Sequence, residues 1–377
     1  MKIIVDNKIP YIRGALEPHA EVIYLPGHRT TAEVVKNADA LITRTRTNCS
    51  RAVLEGSGVR FIATATIGFD HIDTRYCNSA GIEWVNAPGC NAESVNQYIT
   101  AALLSYAQHK DIELEGKTIG IVGVGQVGSR IARTSRILGM NVLLNDPPRE
   151  RVEGPSGFVS LDHIRQEADI ISFHVPLNRR GIDKTYHMVN QDFLRDLPRK
   201  SVIINTCRGE VFDTPAVGVA RAANELSGMV IDCWENEPGI DLGLLALVDF
   251  GTAHIAGYSR DGKANGTRSS VRAVSRFFNL GIDDWEPIRV EPPSHPFIEL
   301  NGAYRTDQAV LTEAVLASYP IERDHKALRT TPHLFEQLRG DYPVRREFNA
   351  HSILARQVKT GALEKLRDLG FDLTGTS

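Results

Sequence analysis

The fold of this chain is decided by the stretch Lys117-Thr-Ile-Gly-Ile-Val-Gly-Val-Gly-Gln-Val-Gly-Ser129. Thr118 to Val122 is an apolar run typical of a buried strand, and the residues after the stretch have helical spacing. Between them, Gly123, Gly125 and Gly128 form the pattern G-x-G-x-x-G. The first glycine allows a tight turn, the second lets the backbone approach a pyrophosphate, and the third lets helix pack on strand. The stretch therefore predicts a dinucleotide site at a helix N-terminus.

A carboxylate follows the next predicted strand, Asn141 to Asn145. Asp146 lies 18 residues after Gly128, where a carboxylate accepts hydrogen bonds from an adenosine ribose. It would repel a 2′-phosphate, so the sequence favours NAD over NADP. The alternative is a turn residue that ends the strand before Pro147 and Pro148.

Composition excludes several classes of function. The 377 residues predict two or three domains, and 43 basic against 46 acidic residues leave no basic field for nucleic acid or a membrane surface. The five cysteines are never spaced C-x-x-C, which disfavours a disulfide framework or a zinc cage, and no metal is predicted. With no signal-like or membrane-spanning run in the sequence, we expect a cytoplasmic protein.

Strands alternate with helical stretches along most of the chain, the rhythm of an α/β fold. A small doubly wound unit precedes the glycine motif, with short strands predicted at 2–6, 21–25, 39–43, 60–64 and 82–85. A long helix at 91–108 leads into the dinucleotide domain, whose parallel strands are predicted at 119–122, 142–145, 170–173, 202–205 and 229–232.

From Glu286 onward the pattern changes. Four prolines between 287 and 296 predict a linker, and helices are predicted at 306–317, 332–339 and 353–369. A region this short is small for a self-sufficient core, which favours a docking or subunit-association domain over a third substrate lobe.

Three segments after the glycine motif carry reactive side chains: Asn205-Thr-Cys-Arg-Gly209, Asp232-Cys-Trp-Glu-Asn-Glu-Pro238 and Gly251-Thr-Ala-His-Ile-Ala-Gly257. In an open parallel sheet, ligands bind beyond the carboxyl ends of the strands, so Arg208, Glu237 and His254 are predicted to meet one cofactor. The imidazole suits a base for a hydroxyl proton, the carboxylate orients it, and the guanidinium fits a substrate carboxylate.

Each of these residues also has an ordinary structural interpretation. Arg208 alone fits a surface ion pair, Glu237 a turn before Pro238, and His254 a hydrogen-bonded buried histidine. The catalytic interpretation is favoured because all three follow strands of a domain already assigned to a dinucleotide.

The order of motifs resembles the D-2-hydroxyacid dehydrogenase family over residues 1–285: G-V-G-Q-V-G, Asp146, H-V-P-L at 174–177, N-T-C-R-G, D-C-W-E-N-E-P and H-I-A-G. The resemblance implies a Rossmann NAD-binding domain at 93–254, a discontinuous flavodoxin-like substrate domain at 1–92 and 255–285, and a small C-terminal α+β dimerisation domain at 286–377. It assigns the catalytic roles to Arg208, Glu237 and His254. The segments 63–71, 87–91, 146–149 and 254–259 are similar to those of a family member that oxidises a phosphorylated hydroxy acid as a homodimer.

The resemblance also implies individual contacts. Cofactor contacts are expected at Gly123, Gly125, Gln126, Val127, Gly128, Asp146, Val175, Thr206, Cys207, Arg208, Asp232 and Gly257. Substrate contacts are expected at Thr45, Thr66 and Tyr258. A reactive thiol at Cys207 is the alternative to a small packing residue, which is favoured.

A phosphorylated substrate also has support from the residues themselves. If the strand at 39–43 continues, Arg44 and Arg46 share one side at its carboxyl end, where paired guanidinium groups suit a phosphate. Two solvated loop arginines are the alternative. Arg345 and Arg346 are further candidates for the phosphate, from the same or a neighbouring subunit.

Two other functions remain open. One is a dehydrogenase of the same family that acts on 3-phosphoglycerate or an unphosphorylated acid. The other is an idle NAD-sensing scaffold that binds protein partners and retains the three catalytic residues.

Overall fold

A computed structural model describes residues 1–195, 197–198 and 200–373 of the chain. These residues divide into two compact units. The first is Met1–Asn91 with Ser259–Glu291, and the second is Ala92–Tyr258 with the described residues from Pro292 onward.

Strands and helices are numbered in chain order. The strands are β1 Lys2–Asp6, β2 Glu21–Leu25, β3 Ala40–Thr43, β4 Phe61–Thr64, β5 Glu83–Val85, β6 Thr118–Val122, β7 Asn141–Asn145, β8 Ile170–Phe173, β9 Val202–Asn205, β10 Gly228–Ile231, β11 Phe250–Gly251, β12 Phe297–Asn301 and β13 Ser352–Arg356. The α-helices are α1 Ala32–Val35, α2 Arg51–Leu54, α3 Thr74–Ala80, α4 Ala92–Lys110, α5 Gln126–Ile137, α6 Pro147–Glu153, α7 Leu161–Glu167, α8 Gln191–Leu194, α9 Thr214–Ala222, α10 Leu242–Leu247, α11 Arg260–Phe278, α12 Asp307–Ser318, α13 Ile321–Thr330, α14 Phe335–Gly340 and α15 Thr360–Leu369.

The first unit is built on a parallel sheet in the order β2-β1-β3-β4-β5. Its inner strands are apolar and buried, as parallel strands covered on both faces must be. Helix α11 returns to this sheet and packs on β4, where Gly266 lies so close to Ala65 that a methyl group would come 2.5 Å from the carbonyl oxygen. Ser259 caps the helix by accepting a hydrogen bond from the Gly262 N–H at 2.7 Å.

The second unit is built on a parallel sheet in the order β11-β10-β9-β8-β6-β7. The chain leaves β6 toward β7 on one side and returns to β8 on the other, which makes the point between β6 and β8 a topological switch. The carboxyl ends of these strands carry the glycine turn and the segment His174–Val175. Ligands of open α/β sheets bind at such a point, so the sheet topology places the predicted cofactor site here.

The strands predicted for both sheets are confirmed to within one residue at each end. The α/β class, the Rossmann-type sheet and the small additional α+β element at the C-terminus are confirmed as well. The boundaries of the three expected domains, including the separate dimerisation domain at 286–377, stay a prediction.

The C-terminal region differs from expectation in its secondary structure. The helix predicted at 353–369 is wrong, because residues 352–356 form β13 and only Thr360–Leu369 is helical. Strand β13 pairs in parallel with β12, which begins directly after the predicted proline linker and was not predicted. Burial alternates along β12, with Ile298 and Leu300 inside, so strand pairing between distant segments overrides the local helical spacing. Helix α13 was not predicted.

The same region packs within the second unit rather than by itself. Helix α12 lies against α4, and its Val310, Leu311 and Val315 belong to one apolar core with Tyr98 of α4. Gln308 adds a polar clamp: its side-chain oxygen accepts the Leu114 N–H at 2.8 Å and its amide donates to the Ile112 carbonyl at 2.8 Å.

Membrane insertion has no support in the helices. In the part of the chain that the structure describes, none is both long enough and apolar enough to cross a bilayer.

The close approach at Gly128 gives a stability test. A methyl group there would lie 2.0 Å from the Gly123 carbonyl oxygen, so we expect Gly128→Ala to lower the free energy of unfolding by about 1–3 kcal/mol. Gly218 of α9 is the matched control, since a methyl group there meets nothing within 4 Å and should stabilise the helix by about 0.5–1 kcal/mol. Thermal unfolding of both variants measures the difference, and equal melting temperatures would contradict the packing argument.

Candidate active site

The glycine turn borders open space where a pyrophosphate was predicted. A methyl group on Gly123 would lie 2.6 Å from the His174 carbonyl oxygen, whereas one on Gly125 would meet nothing within 4 Å. Helix α5 begins directly afterwards, at Gln126, so the unbonded N–H groups of a helix start lie beside this space. The residues present therefore fit a dinucleotide phosphate.

Asp146 has a structural role in addition to the predicted one. One carboxylate oxygen accepts the Val124 N–H at 2.8 Å, and the other accepts the Arg149 N–H at 3.1 Å and caps α6. The carboxylate thus holds the glycine turn against the end of β7. Each oxygen retains acceptor capacity, so a ribose contact is compatible with this arrangement and stays a prediction.

Two residues after β9 have distinctive side chains. The hydroxyl of Thr206 is buried and makes no hydrogen bond to any described residue. Buried hydroxyls are rarely left without a partner, so this one fits a polar group of a bound cofactor. Burial raises the pKa of the Cys207 thiol to about 11, and the thiol lies 3.2 Å from the Asn205 side-chain oxygen. A protonated, hydrogen-bonded thiol favours the packing interpretation of Cys207.

The remaining predicted cofactor contacts follow strands of the same sheet or begin its helices. Gln126, Val127 and Gly128 form the first turn of α5, Val175 follows β8, Asp232 follows β10, and Gly257 lies in the loop after β11. Their contacts with a cofactor stay a prediction.

Glu237 and His254 form a direct pair. The imidazole Nδ1 lies 2.8 Å from one carboxylate oxygen of Glu237 and 3.1 Å from the other. The Trp234 N–H donates to the same carboxylate at 2.8 Å. Burial alone would raise the pKa of Glu237, but the hydrogen bonds from His254 and Trp234, together with the charge of Arg339, lower it. An ionised carboxylate on Nδ1 fixes the tautomer and leaves Nε2 for proton exchange.

Arg208 is brought to this pair by a backbone contact. A methyl group on Gly209 would lie 2.0 Å from the Trp234 carbonyl group, so the two backbones touch and only glycine fits. The preceding residue, Arg208, therefore lies next to the segment that holds Glu237. One of its guanidinium nitrogens donates to the Cys207 carbonyl at 2.8 Å. All three predicted catalytic residues lie in the second unit, at the carboxyl ends of its strands.

The loop that carries His254 is tied to Asp232. This buried carboxylate accepts hydrogen bonds from the Thr252 hydroxyl at 2.6 Å and from the backbone N–H groups of Ile255 and Ala256 at 2.7 and 2.9 Å. The backbone of His254 has φ +54°, a left-handed conformation uncommon for residues other than glycine. Asp232 is thus the anchor that keeps the histidine in this conformation.

A thiol lies near the pair of Glu237 and His254. One donor atom each of Cys233, Glu237 and His254 lies within 4.8 Å of the others, close enough for these three to surround a metal ion. Burial raises the pKa of the Cys233 thiol well above its usual value, which disfavours the thiolate that a metal requires. Metal binding would also replace the hydrogen bond between His254 and Glu237.

The predicted phosphate-binding residues Arg44 and Arg46 lie in the first unit, and the strand expected to carry them ends before them. Strand β3 ends at Thr43, and the chain then turns, with the Thr47 N–H bonded to the Arg44 carbonyl at 3.0 Å. The alternation of a continued strand therefore does not place Arg44 and Arg46 on one side. Both still follow the carboxyl end of β3.

Thr45 and Thr66 share this sheet edge, because β3 and β4 are parallel neighbours with Thr43 opposite Thr64. The Thr66 hydroxyl lies 2.7 Å from that of Thr64 and 2.8 Å from the Gly68 carbonyl. His71 lies at the same edge with Nε2 3.3 Å from the Thr43 hydroxyl, and burial lowers its pKa. Sequence reasoning did not single out His71.

Arg339 of α14 was also missed. Its guanidinium lies 4.0 Å from the Glu237 carboxylate and 5.9 Å from the ring centroid of Tyr258, a predicted substrate contact. This cation of the C-terminal region therefore adjoins the pair of Glu237 and His254. No spacing rule links positions 102 residues apart, so only tertiary structure could have revealed it.

The comparisons with known proteins agree with this geometry. The sequence model described as "D-isomer specific 2-hydroxyacid dehydrogenase, NAD binding domain" matches residues 91–256. A second model, described as a domain of unknown function, matches residues 292–370.

Solved structures resemble the chain in fold. D-lactate dehydrogenase from Aquifex aeolicus, complexed with NAD and lactic acid, has a TM-score of 0.62 at 26% identity and covers 75% of this chain and 97% of its own. NAD-bound 3-phosphoglycerate dehydrogenase from Entamoeba histolytica has a TM-score of 0.63 at 24% identity and covers 77% of this chain and 99% of its own. At that identity the second likeness shows the fold alone.

The chain belongs to the D-isomer-specific 2-hydroxyacid dehydrogenase family and is an NAD-dependent dehydrogenase. Its curated relatives are more specific. A protein named erythronate-4-phosphate dehydrogenase from Bacteroides fragilis is 54% identical over 94% of this chain and 99% of its own. One of the same name from Porphyromonas gingivalis is 41% identical over 98% of this chain and 100% of its own.

The state of Cys207 gives a chemical test. With a pKa of about 11, less than about one thiol in a thousand is ionised at pH 7.5, so we expect Cys207 to react with iodoacetamide far more slowly than glutathione does. Mass mapping of the labelled peptide after short exposures gives the rate, with Cys207→Ser as the blank. Labelling as fast as that of glutathione would restore the reactive-thiol interpretation.

Proposed function

We propose that this chain oxidises 4-phospho-D-erythronate to (R)-3-hydroxy-2-oxo-4-phosphobutanoate with NAD, in the biosynthesis of pyridoxal 5′-phosphate. The observation that carries the proposal is the pair of Glu237 and His254, 2.8 Å apart on an NAD-binding domain. The substrate is inferred from the name of relatives with up to 54% identity over nearly the whole chain.

His254 acts as the general base. In the oxidation, Nε2 takes the proton of the substrate's 2-hydroxyl group while Nδ1 stays bonded to Glu237. The carboxylate stabilises the imidazolium that forms, and its hydrogen bond from Trp234 prevents it from turning away. In the reverse reaction the same imidazolium returns the proton.

Arg208 binds the substrate carboxylate. A guanidinium group offers two parallel donors to a carboxylate, which fixes the orientation of the reacting carbon. Bound NAD supplies the nicotinamide that accepts the hydride from that carbon. Tyr258, next to Arg339, is assigned to the substrate as well.

The phosphate is assigned to the edge of the first unit that carries Arg44, Thr45, Arg46 and Thr66. Two guanidinium groups and two hydroxyls supply the charge and donors that a phosphate dianion requires. This assignment rests on the ends of β3 and β4 and on the resemblance, not on strand alternation.

The C-terminal region is assigned to homodimer formation and the enzyme to the cytoplasm, on the grounds given by the sequence. Sedimentation of the full chain tests the first: a dimer is expected, and a monomer would contradict the assignment.

The proton step can be tested with a matched histidine. We expect His254→Ala to lower kcat for 4-phosphoerythronate by about a thousandfold or more, because general acid–base catalysis is lost. His187 is the control: it also pairs with a glutamate, Glu235, at 2.6 Å and also has positive φ, +49°, yet is not among the predicted site residues. His187→Ala should keep kcat within about threefold.

Steady-state production of NADH measures both variants on a panel of 4-phosphoerythronate, 3-phosphoglycerate, erythronate and D-lactate. A higher kcat/KM on 3-phosphoglycerate would favour another dehydrogenase of the family. An idle scaffold would give no NADH with any acid, even in the unaltered protein.

The phosphate assignment predicts a selective loss. Arg44→Met and Arg46→Met should each raise KM for 4-phosphoerythronate about tenfold or more, since a charge-assisted hydrogen bond contributes about 1.5–3 kcal/mol. The kcat/KM for erythronate, which lacks the phosphate, should not change. Arg51→Met is the control, because Arg51 of the same unit pairs with Glu55 on the exposed face of α2. Equal losses on both acids would remove these arginines from phosphate binding.

A further inference from the structure

A buried arginine of the C-terminal region reaches the loop that carries the catalytic histidine. Arg345 follows α14, is 4% exposed and lies wholly within the second unit. Its guanidinium carbon is 4.6 Å from the ring centroid of Tyr319 and 5.7 Å from that of Tyr342. A side chain enclosed in this way is not a ligand for a substrate phosphate, the role considered for it from the sequence.

The hydrogen bonds of Arg345 go to the backbone of the catalytic part of the unit. One terminal nitrogen donates to the Ala256 carbonyl at 2.5 Å and lies 3.4 Å from the Ser94 carbonyl at the start of α4. Its Nε and the other terminal nitrogen make no hydrogen bond to the described residues. The strongest contact of this buried cation is therefore with the carbonyl group two residues after His254.

A carboxylate that binds the hydroxyls of both tyrosines supplies negative charge near this cation. Asp324 of α13 accepts hydrogen bonds from the Tyr319 hydroxyl at 3.0 Å and from the Tyr342 hydroxyl at 2.6 Å. Burial alone would lower the pKa of Arg345, but Tyr342, Tyr319 and the carboxylates of Asp324 and Asp232 raise it. The guanidinium therefore stays charged inside the protein.

The neighbouring residues dock the same segment on α4. Glu347 accepts a hydrogen bond from the Ser94 hydroxyl at 2.8 Å, and the Gln97 side chain donates to the Arg346 carbonyl at 2.9 Å. The two residues that follow Arg345 are thus fixed on α4.

The Ala256 residue that Arg345 contacts is clamped at both of its backbone groups. Its N–H donates to the Asp232 carboxylate at 2.9 Å, and its carbonyl accepts from Arg345. The Asp232 carbonyl also accepts the His254 N–H at 2.9 Å. A loop that keeps a histidine at φ +54° needs such opposing contacts, because the conformation is unfavourable by itself.

We propose that Arg345 is a positioning residue of the dehydrogenase: its guanidinium holds the Ala256 carbonyl so that the loop 252–258 keeps His254 on Glu237. The C-terminal region would then serve the active site directly, in addition to any part in subunit association. This inference rests on the proposed role of His254 as the base, and its first test does not depend on that role.

The test compares Arg345→Met and Arg345→Lys with Arg329→Met. Methionine keeps the length and apolar volume of the side chain but removes its donors and its charge. Lysine keeps the charge without the planar fork. Arg329, an exposed arginine of α13, is the control. Amide hydrogen exchange of the full-length protein, without substrate, follows the peptides that contain residues 252–258. We expect exchange at least about tenfold faster in Arg345→Met, a smaller increase in Arg345→Lys, and parental rates in Arg329→Met.

Kinetics supply the second readout. In Arg345→Met, kcat should fall about tenfold or more, while KM for NAD should change less than about threefold. In Arg345→Ala, guanidinium ion added at concentrations below the onset of unfolding should restore part of kcat. A purely structural role would instead reduce kcat only in proportion to the folded fraction, without rescue, and would overturn the proposal.

The proposal would also be overturned if a folded Arg345→Met variant exchanged the amide hydrogens of residues 252–258 at the parental rates. If that variant does not fold, the exchange of Arg345→Lys decides in the same way. If the unaltered protein produces no NADH from any acid, the proposed function fails, and the exchange comparison still decides whether Arg345 positions the loop.

Discussion

The carboxylate of Asp232 is the constraint on which the active-site geometry depends. It is buried at the carboxyl end of β10 and accepts hydrogen bonds from the Thr252 hydroxyl and from the N–H groups of Ile255 and Ala256. These bonds tie the chain after β11 to the end of β10, and in the loop so formed His254 bonds Glu237. A buried carboxylate is costly to desolvate, and backbone N–H groups offset that cost only if the loop keeps this shape. The loop and its anchor therefore stabilise each other.

Two glycines allow close backbone contacts in the motifs that neighbour this loop. Gly209 lets the turn after β9 touch the Trp234 backbone, and Gly128 lets α5 press on the turn at Gly123. Both contacts are closer than any side chain permits. Backbone packing therefore fixes the shape of the glycine turn, and it also fixes Arg208 next to the segment that holds Glu237. Such packing is stiffer than contact between side chains.

The sequence predicted the sheets, and it predicted that Glu237 and His254 meet, because both follow from local patterns. Buried parallel strands are continuous apolar runs, and Glu237 follows one of them, β10, whereas His254 follows the two-residue strand β11, which was not predicted. It failed where the decisive partner is distant along the chain. Residues 352–356 have apolar spacing that suits a helix, but pairing with β12 makes them a strand. Arg44 and Arg46 were placed by a strand that ends at Thr43, where the turn closed by Thr47 begins. Asp146 was read as a ribose ligand, and nothing local showed that it also binds the Val124 N–H.

The arginines of the C-terminal region also have their decisive partners far away along the chain. Arg339 and Arg345 are ordinary residues in a polar stretch of sequence, yet one adjoins the Glu237 carboxylate and the other is buried beside Tyr319. A catalytic imidazole needs its carboxylate ionised and its backbone fixed, and cations contribute to both, the first through charge and the second through hydrogen bonds. The solved D-lactate dehydrogenase matches over 97% of its length but covers only 75% of this chain. Residues beyond that shared fold therefore include Arg339, whose guanidinium lies 4.0 Å from the Glu237 carboxylate. The Arg339 guanidinium, next to Glu237 and Tyr258, suits a negatively charged substrate, because it adds positive potential beside the three predicted catalytic residues without replacing any of them.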